Sequence, residues 1–294
     1  MKYVEPSCRE ILIADPVDKI ATVARNCYLS VPRSSDETPF VTRLLNNRHL
    51  AMFEHKLLTF ALSNEHYHSL RELNNPFIEL TSYESGPLAT LSVRTLIENS
   101  EKEPIKILIG ALPVSTQSIF FPGQEFKAGS AVKVIDFSEL TRLSEQEKNS
   151  HLFVTMKIIT DRGVSHELVR HRRCSFAQES TRYCNYSKDK FNGELTFIRP
   201  SDYEANGAVY DRVFQNIEDA YLELTARKVT PDFARAILPN SLKTSIVVTA
   251  NLAEWKLIFD LRTSSAAHPD MNKVMALVKK AFAESGYVRG EDKR

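Results

Sequence analysis

The densest run of chemically capable side chains is Arg170-His171-Arg172-Arg173-Cys174-Ser175-Phe176-Ala177-Gln178-Glu179-Ser180-Thr181-Arg182-Tyr183, where four arginines and a histidine stand among hydroxyl and amide groups. Guanidinium groups make bidentate, charge-assisted bonds to phosphate oxygens, and serine and glutamine add directional contacts. The composition therefore suits a binding site for an organic phosphate, with a solvated basic loop as the competing reading.

Other chemistries find less support. Cys8, Cys27, Cys174 and Cys184 form no C-x-x-C pair, which argues against a disulfide framework or a structural zinc site, so reduced thiols are expected. His49, His55, His66 and His68 could share a metal, but no cluster of acids accompanies them, and no metal is expected. His66 and His68 are placed near the end of a strand and, with His151, His166 and His268, are read as surface or structural. Ser180 lacks a His-Asp pair that would make it a nucleophile.

Charge narrows the partners. Lys and Arg number 38 against 37 Asp and Glu, with a pI of about 7.7, so there is no broad positive field to attract nucleic acid. A nucleic-acid module built on Arg170 to Arg173, with Phe176 and Tyr183 as stacking groups, is accordingly disfavoured. The first ten residues lack an apolar signal region, and no apolar run approaches the roughly 18 to 20 residues needed to cross a bilayer. A soluble, cytoplasmic protein without a membrane partner is expected.

The elements that must position these residues read as one interwoven α/β (α+β) domain over 1–294, without repeats or a long linker. Lys56 to Ser63 alternates weakly and predicts a strand, Pro76 to Ser82 another, and Gly86 to Asn99 a helix. Residues 100–148, broken by Gly110 and Pro113, read as an inserted segment. His151 to Thr160 is apolar and β-branched, a buried strand, after which Asp161 caps a short helix through Val169. Val209, Val213, Ile217, Ala220, Tyr221 and Leu224 recur at helical spacing between Tyr203 and Lys228 and predict a long helix packing that face into the core. Pro231 opens a helix that Pro239 stops, Thr244 to Thr249 is strand-like, Asn251 to Leu261 helical, and Met271 to Ser285 a closing helix.

The pattern R-H-R, seven residues, then Ser, met by Arg170, His171, Arg172 and Ser180 and extended by Arg182-Tyr183, resembles the signature of the flavin-dependent thymidylate synthases. Upstream, Asp161 to Val169 resembles that family's approach to the motif, His49 to His55 its H-x-S/T-x-x-E-H segment, and Arg25 to Tyr28 a short block before it. Downstream, Arg235-Ala236-Ile237-Leu238-Pro239, Asn251 and Arg262 match in order and spacing, while residues 100–148 lie outside the resemblance.

The resemblance implies a fold with a central, mostly antiparallel sheet flanked by helices, and a homotetramer holding FAD between subunits. FAD contacts fall by position on His49, Glu54, Arg170, His171, Arg172, Gln178 and Asn251. The dUMP contacts fall on Glu167, Arg170, Gln178, Ser180, Arg182, Arg235 and Arg262, with Arg182 and Arg235 for the phosphate. The implied reaction methylates dUMP at C5 to give dTMP, with methylenetetrahydrofolate as carbon donor and NADPH restoring the reduced flavin. Charge must then develop on the N3-C4-O4 side of uracil, and Arg262, permanently cationic, is expected to be the principal catalytic residue. Ser180 joins it at the reaction centre as a hydrogen-bonding group. The ordinary thymidylate synthase uses a cysteine in a Pro-Cys-His context, and no cysteine here follows a proline.

Departures from the family pattern gather on the expected flavin surface. Ala177 stands where Asn or Ser is usual, Ala51 for Ser or Thr, Ala253 for an Arg two positions after Asn251, and Leu257 for a polar residue. Weaker or shifted FAD binding is the expectation. A flavin enzyme making another uracil C5 modification, such as hydroxymethylation, is the alternative within the family, and without a G-x-G-x-x-G fingerprint NADPH would bind transiently at the flavin face.

Overall fold

The computed structural model describes residues 1–32, 34–127 and 132–287. Its strands, in chain order, are β1 (Lys2–Val4), β2 (Ser7–Glu10), β3 (Leu57–Leu62), β4 (Ile78–Tyr83), β5 (Gly86–Ser92), β6 (Val132–Ile135), β7 (Phe153–Asp161), β8 (Ser175–Gln178), β9 (Thr196–Ile198) and β10 (Lys243–Asn251). In place of one central sheet there are two four-stranded antiparallel sheets, ordered β2-β7-β10-β8 and β4-β5-β3-β6, and a short parallel pair, β1-β9.

The first sheet positions the Arg-rich motif. β7 and β10 pair along their whole length, from Asp161 opposite Lys243 to Phe153 opposite Asn251. Side chains alternate across a strand, so Val154, Met156 and Ile158 of β7 and Ile246, Val248 and Ala250 of β10 share one core face. Trp255, Ile258 and Phe259 of the helix Leu252–Arg262, with Met271, Val274, Met275, Val278 and Phe282 of the helix Pro269–Glu284, cover that face. After β7 the chain forms the helix Arg162–Leu168, crosses the sheet, and returns as β8 on the other edge of β10, with Gln178 opposite Ile246.

The stretch set apart as 100–148 is built into the second sheet's core. Ile105, Leu108 and Ile109 of the helix Glu103–Gly110 are fully buried with Phe53, Phe60 and Leu91, and β6 extends the sheet along β3. Each such side chain contributes about 1.5–3 kcal/mol by leaving water.

Three expectations need correction. Gly86 to Asn99 is not one helix: Gly86, at φ 107°, closes a hairpin against Tyr83, β5 lies between β4 and β3, and the helix starts at Val93 after the Ser92 cap. An apolar run buried on both faces of a central strand has no helix-versus-strand period to read. The helix Tyr203–Ala226 forms as expected, but Val209 and Val213 are 53% and 41% exposed and Ala220 faces outward too. Its inward residues are Phe214, Glu218 and Tyr221; a carboxylate takes a core position because its oxygens accept from the Leu195 amide and the Met1 ammonium, both at 2.6 Å. His66 and His68 lie in the helix Asn64–Glu72 rather than by the end of a strand, with His66 buried and His68 exposed. No helix among the described residues is long and apolar enough to cross a membrane.

Candidate active site

Local capping sets the two arms of the site. Asp161 ends β7, and its Oδ1 accepts from the Val164 amide at 2.8 Å, starting the helix whose last turn carries Glu167. Burial raises the Asp161 carboxyl above its ordinary value. Asn251 ends β10 in the same way, its Oδ1 accepting from the Glu254 amide at 2.9 Å, and the helix it starts runs to Arg262.

The ends of these two helices meet. Arg262 donates from Nε to Nε2 of His171 at 3.1 Å, from Nη1 to Glu167 Oε2 at 3.0 Å, and from Nη2 to the Glu167 carbonyl at 3.4 Å. On the other side of the imidazole, Nδ1 of His171 lies 3.5 Å from Glu254 Oε1. Burial, then the Arg262 cation, lowers the His171 pKa, and Glu254 opposes that shift. Three motif positions, Glu167, His171 and Arg262, thus converge on one point.

The other expected site residues make local contacts of their own. Gln178 donates from Nε2 to the Ser165 hydroxyl at 2.8 Å and the Thr244 hydroxyl at 3.1 Å, which fixes its amide at the start of β10. Ser180 is half-buried, and its amide donates to the Cys27 carbonyl at 2.9 Å, tying the motif to the Arg25–Tyr28 block. Arg170 and Arg172 are exposed. Arg182 is exposed over the Tyr183 ring, 5.2 Å from its centroid, and that ring packs on Tyr28. Arg235, on a short 3-10 turn, is exposed and donates only locally, to the Asp232 carbonyl at 3.2 Å. Within one chain neither Arg182 nor Arg235 joins the Arg262 cluster through any hydrogen bond among the described residues.

Four of the residues expected around the flavin line two cavities, while Arg170, His171 and Gln178 line neither. Glu54, Arg172 and Asn251 line a cleft of ≈ 480 Å³ with Leu57, Phe153 and Arg94. His49 instead opens on a separate cavity of ≈ 520 Å³ beside Arg25, Tyr28 and Phe40. Glu54 is held by Arg94, Nη1 to Oε1 at 2.5 Å, and Asn251 spends its amide on the cap and on the Ser150 carbonyl at 3.2 Å. Exposed guanidinium groups of Arg172 and Arg173 beside the apolar walls of Leu57 and Phe153 suit a planar ring system with a phosphate tail.

Sequence reasoning missed Asn26, Arg94 and Glu254. Asn26 is buried, donating to the Ala177 and Ser245 carbonyls at 3.0 Å each, and so clamps β8 to β10. Glu254 follows Asn251 by three residues, a spacing that reads as a helix cap rather than as a contact to His171. Arg94 carries no motif and is recognisable only from its position over the cleft.

The thiols are not poised as nucleophiles. Burial pushes Cys27 and Cys184 up to about 11 and raises Cys174 further, so all three stay protonated near neutrality. Among the described residues no group of three or more His, Cys, Asp or Glu is placed to hold a metal ion.

The family model described as "Thymidylate synthase complementing protein" matches residues 98–285, well over half of the sequence. The chain belongs to that family. The match takes in residues 100–148, which the motifs alone had left aside, and begins after the His49–His55 and Arg25–Tyr28 blocks. Among curated proteins, the chain is 34% identical over 131 residues to the flavin-dependent thymidylate synthase of Pyrococcus furiosus, covering 44% of this chain and 53% of that one. It is 37% identical over 106 residues to the enzyme of the same name from Geobacter sulfurreducens, covering 36% and 45%. The chain thus spans about half the length of the curated relatives it matches. Among solved structures, a UMP/dUMP methylase, PolB, from Streptomyces cacaoi aligns at a TM-score of 0.42 and 14% identity over 97% of this chain and 93% of that one.

Proposed function

We propose that the protein is a flavin-dependent thymidylate synthase acting in the cytoplasm, converting dUMP, methylenetetrahydrofolate and NADPH to dTMP, tetrahydrofolate and NADP. The observation that carries this reading is the convergence of Glu167, His171 and Arg262, which come from two distant segments yet meet through hydrogen bonds of 3.0 and 3.1 Å.

In this reading the new carbon bond forms at C5 of uracil, the C5 proton leaves, and negative charge builds transiently on the N3-C4-O4 edge. Arg262 faces that edge with the N–H groups not used by Glu167 and His171, stabilising the charge without any change in its own protonation. Ser180 and Gln178 orient the base, and Arg170, Arg182 and Arg235 supply guanidinium groups for the nucleotide phosphate. The flavin, when bound, supplies the reducing equivalents that turn a methylene into a methyl group. Arg172, His171, Glu54, Gln178 and Asn251 would hold it, with His49 contributed across a subunit boundary.

The placement of His49 and Glu54 on two separate cavities of one chain supports a site assembled between neighbouring copies in a homotetramer. The burial of residues 103–110 with β3 and β5 supports treating the chain as one folding unit.

Product analysis tests the activity. Purified protein supplied with FAD, NADPH, methylenetetrahydrofolate and dUMP should yield dTMP by mass spectrometry, dependent on each component. A 5-hydroxymethyl product would move the assignment to the alternative C5 chemistry, and unaltered dUMP would remove it.

A further inference from the structure

The helix Leu252–Arg262 carries Glu254 in its first turn and Arg262 at its end, about 12 Å apart along the axis, and both reach the same imidazole. We infer that Glu254 is a positioning residue for Arg262, acting through His171. The inference rests on the proposed role of Arg262 at the uracil ring.

An arginine side chain has donors only, so Nε2 of His171 must accept from Arg262 Nε, and the proton of the neutral ring lies on Nδ1. Nδ1 lies 3.5 Å from Glu254 Oε1, with the His171 and Glu254 side chains 7% and 8% exposed. Among the described residues the Glu254 carboxylate has no other ion-pair partner. A carboxylate buried this deeply is costly unless compensated, and the imidazole N–H is the group available to compensate it.

The consequence is directional. With the proton held on Nδ1, the Nε2 lone pair anchors the guanidinium from one side while Glu167 holds it from the other. With the proton on Nε2, two donors would oppose each other and Arg262 would lose its fixed orientation. The helix Leu252–Arg262 therefore braces its own last residue through a side chain on another segment. This is how a partner outside the substrate's reach fixes the group that touches it.

The test uses the intact protein labelled with 15N-histidine, with His171→Asn to assign the resonance. Wild-type protein should show the Nδ1–H tautomer. Glu254→Gln, which keeps an acceptor but loses the charge, should retain that tautomer with a severalfold loss of kcat. Glu254→Leu should populate the Nε2–H tautomer and lower kcat by about tenfold or more, with flavin content unchanged. The inference is overturned if wild-type His171 is protonated on Nε2, if Glu254→Leu keeps the wild-type tautomer, or if its tautomer changes while kcat does not. Absence of dTMP from the wild-type protein would instead defeat the functional reading, while the tautomer spectra would still decide the link between Glu254 and His171.

Discussion

Arg262 and His171 are 91 residues apart in the sequence, yet the guanidinium Nε of one donates to the imidazole Nε2 of the other at 3.1 Å. The antiparallel pairing of β7 and β10 produces this contact. Each strand ends in a capping side chain, Asp161 or Asn251, and the helices so started bring Glu167 and Arg262 together.

Removing the guanidinium should abolish turnover and spare the flavin. Arg262→Ala is expected to reduce dTMP formation by at least about 100-fold, the scale seen when one preorganised charge-stabilising donor is lost. Protein-bound flavin absorbance should be unchanged. Normal turnover by this variant would show that another group carries the charge.

The flavin surface gives a paired expectation. Arg172→Ala should weaken FAD binding by about tenfold, from loss of a charge-assisted contact. Ala253→Arg, at an exposed position early in the helix Leu252–Arg262, should tighten it by restoring a cation beside Asn251. FAD titration of both variants decides the matter, and unchanged affinity for Ala253→Arg would end the idea that this alanine costs cofactor binding.

Two buried histidines set an acid limit on stability. Burial lowers the pKa of His151 to about 4 and that of His55 to about 3. The folded state therefore binds fewer protons than the unfolded chain below about pH 6.5, the ordinary histidine value. Their contribution is fully present above that pH and is lost as pH falls toward the folded values. Urea unfolding between pH 6 and pH 4.5 should lose up to about 1.4 kcal/mol per pH unit for each histidine. His151→Asn should remove one such increment from the slope, and a slope equal to that of the wild type would contradict the assignment.

If residues 103–110 belong to the core, deleting their buried atoms must destabilise the whole. Leu108→Ala is expected to cost about 2–5 kcal/mol and to shift a single cooperative urea transition. A change below about 0.5 kcal/mol, or a separate early transition, would mark this region as independent of the rest.

What the sequence could reveal follows from where its signals were local. Asp161 before an amphipathic turn, Pro239 after a helix and the β-branched run at Thr244 all act within a few residues, and the elements around the motif form as they predict. The R-H-R pattern likewise marks His171, and the downstream match through Asn251 marks Arg262. Leu88 to Ser92 was unreadable because a strand covered on both faces loses its alternation. The inward face of the helix Tyr203–Ala226 was misread because Glu218 enters the core through partners at Met1 and Leu195. Glu254 escaped notice for a related reason, since only the fold turns a residue of capping spacing toward His171.

In the proposed reaction Arg262, held by Glu167 and His171, meets the pyrimidine ring of dUMP. A crystal structure grown with FAD and dUMP measures it directly. The guanidinium should lie within about 3 Å of the uracil O4 or N3, with the base stacked on the isoalloxazine. A nucleotide bound elsewhere, with Arg262 still paired only to Glu167 and His171, would contradict it.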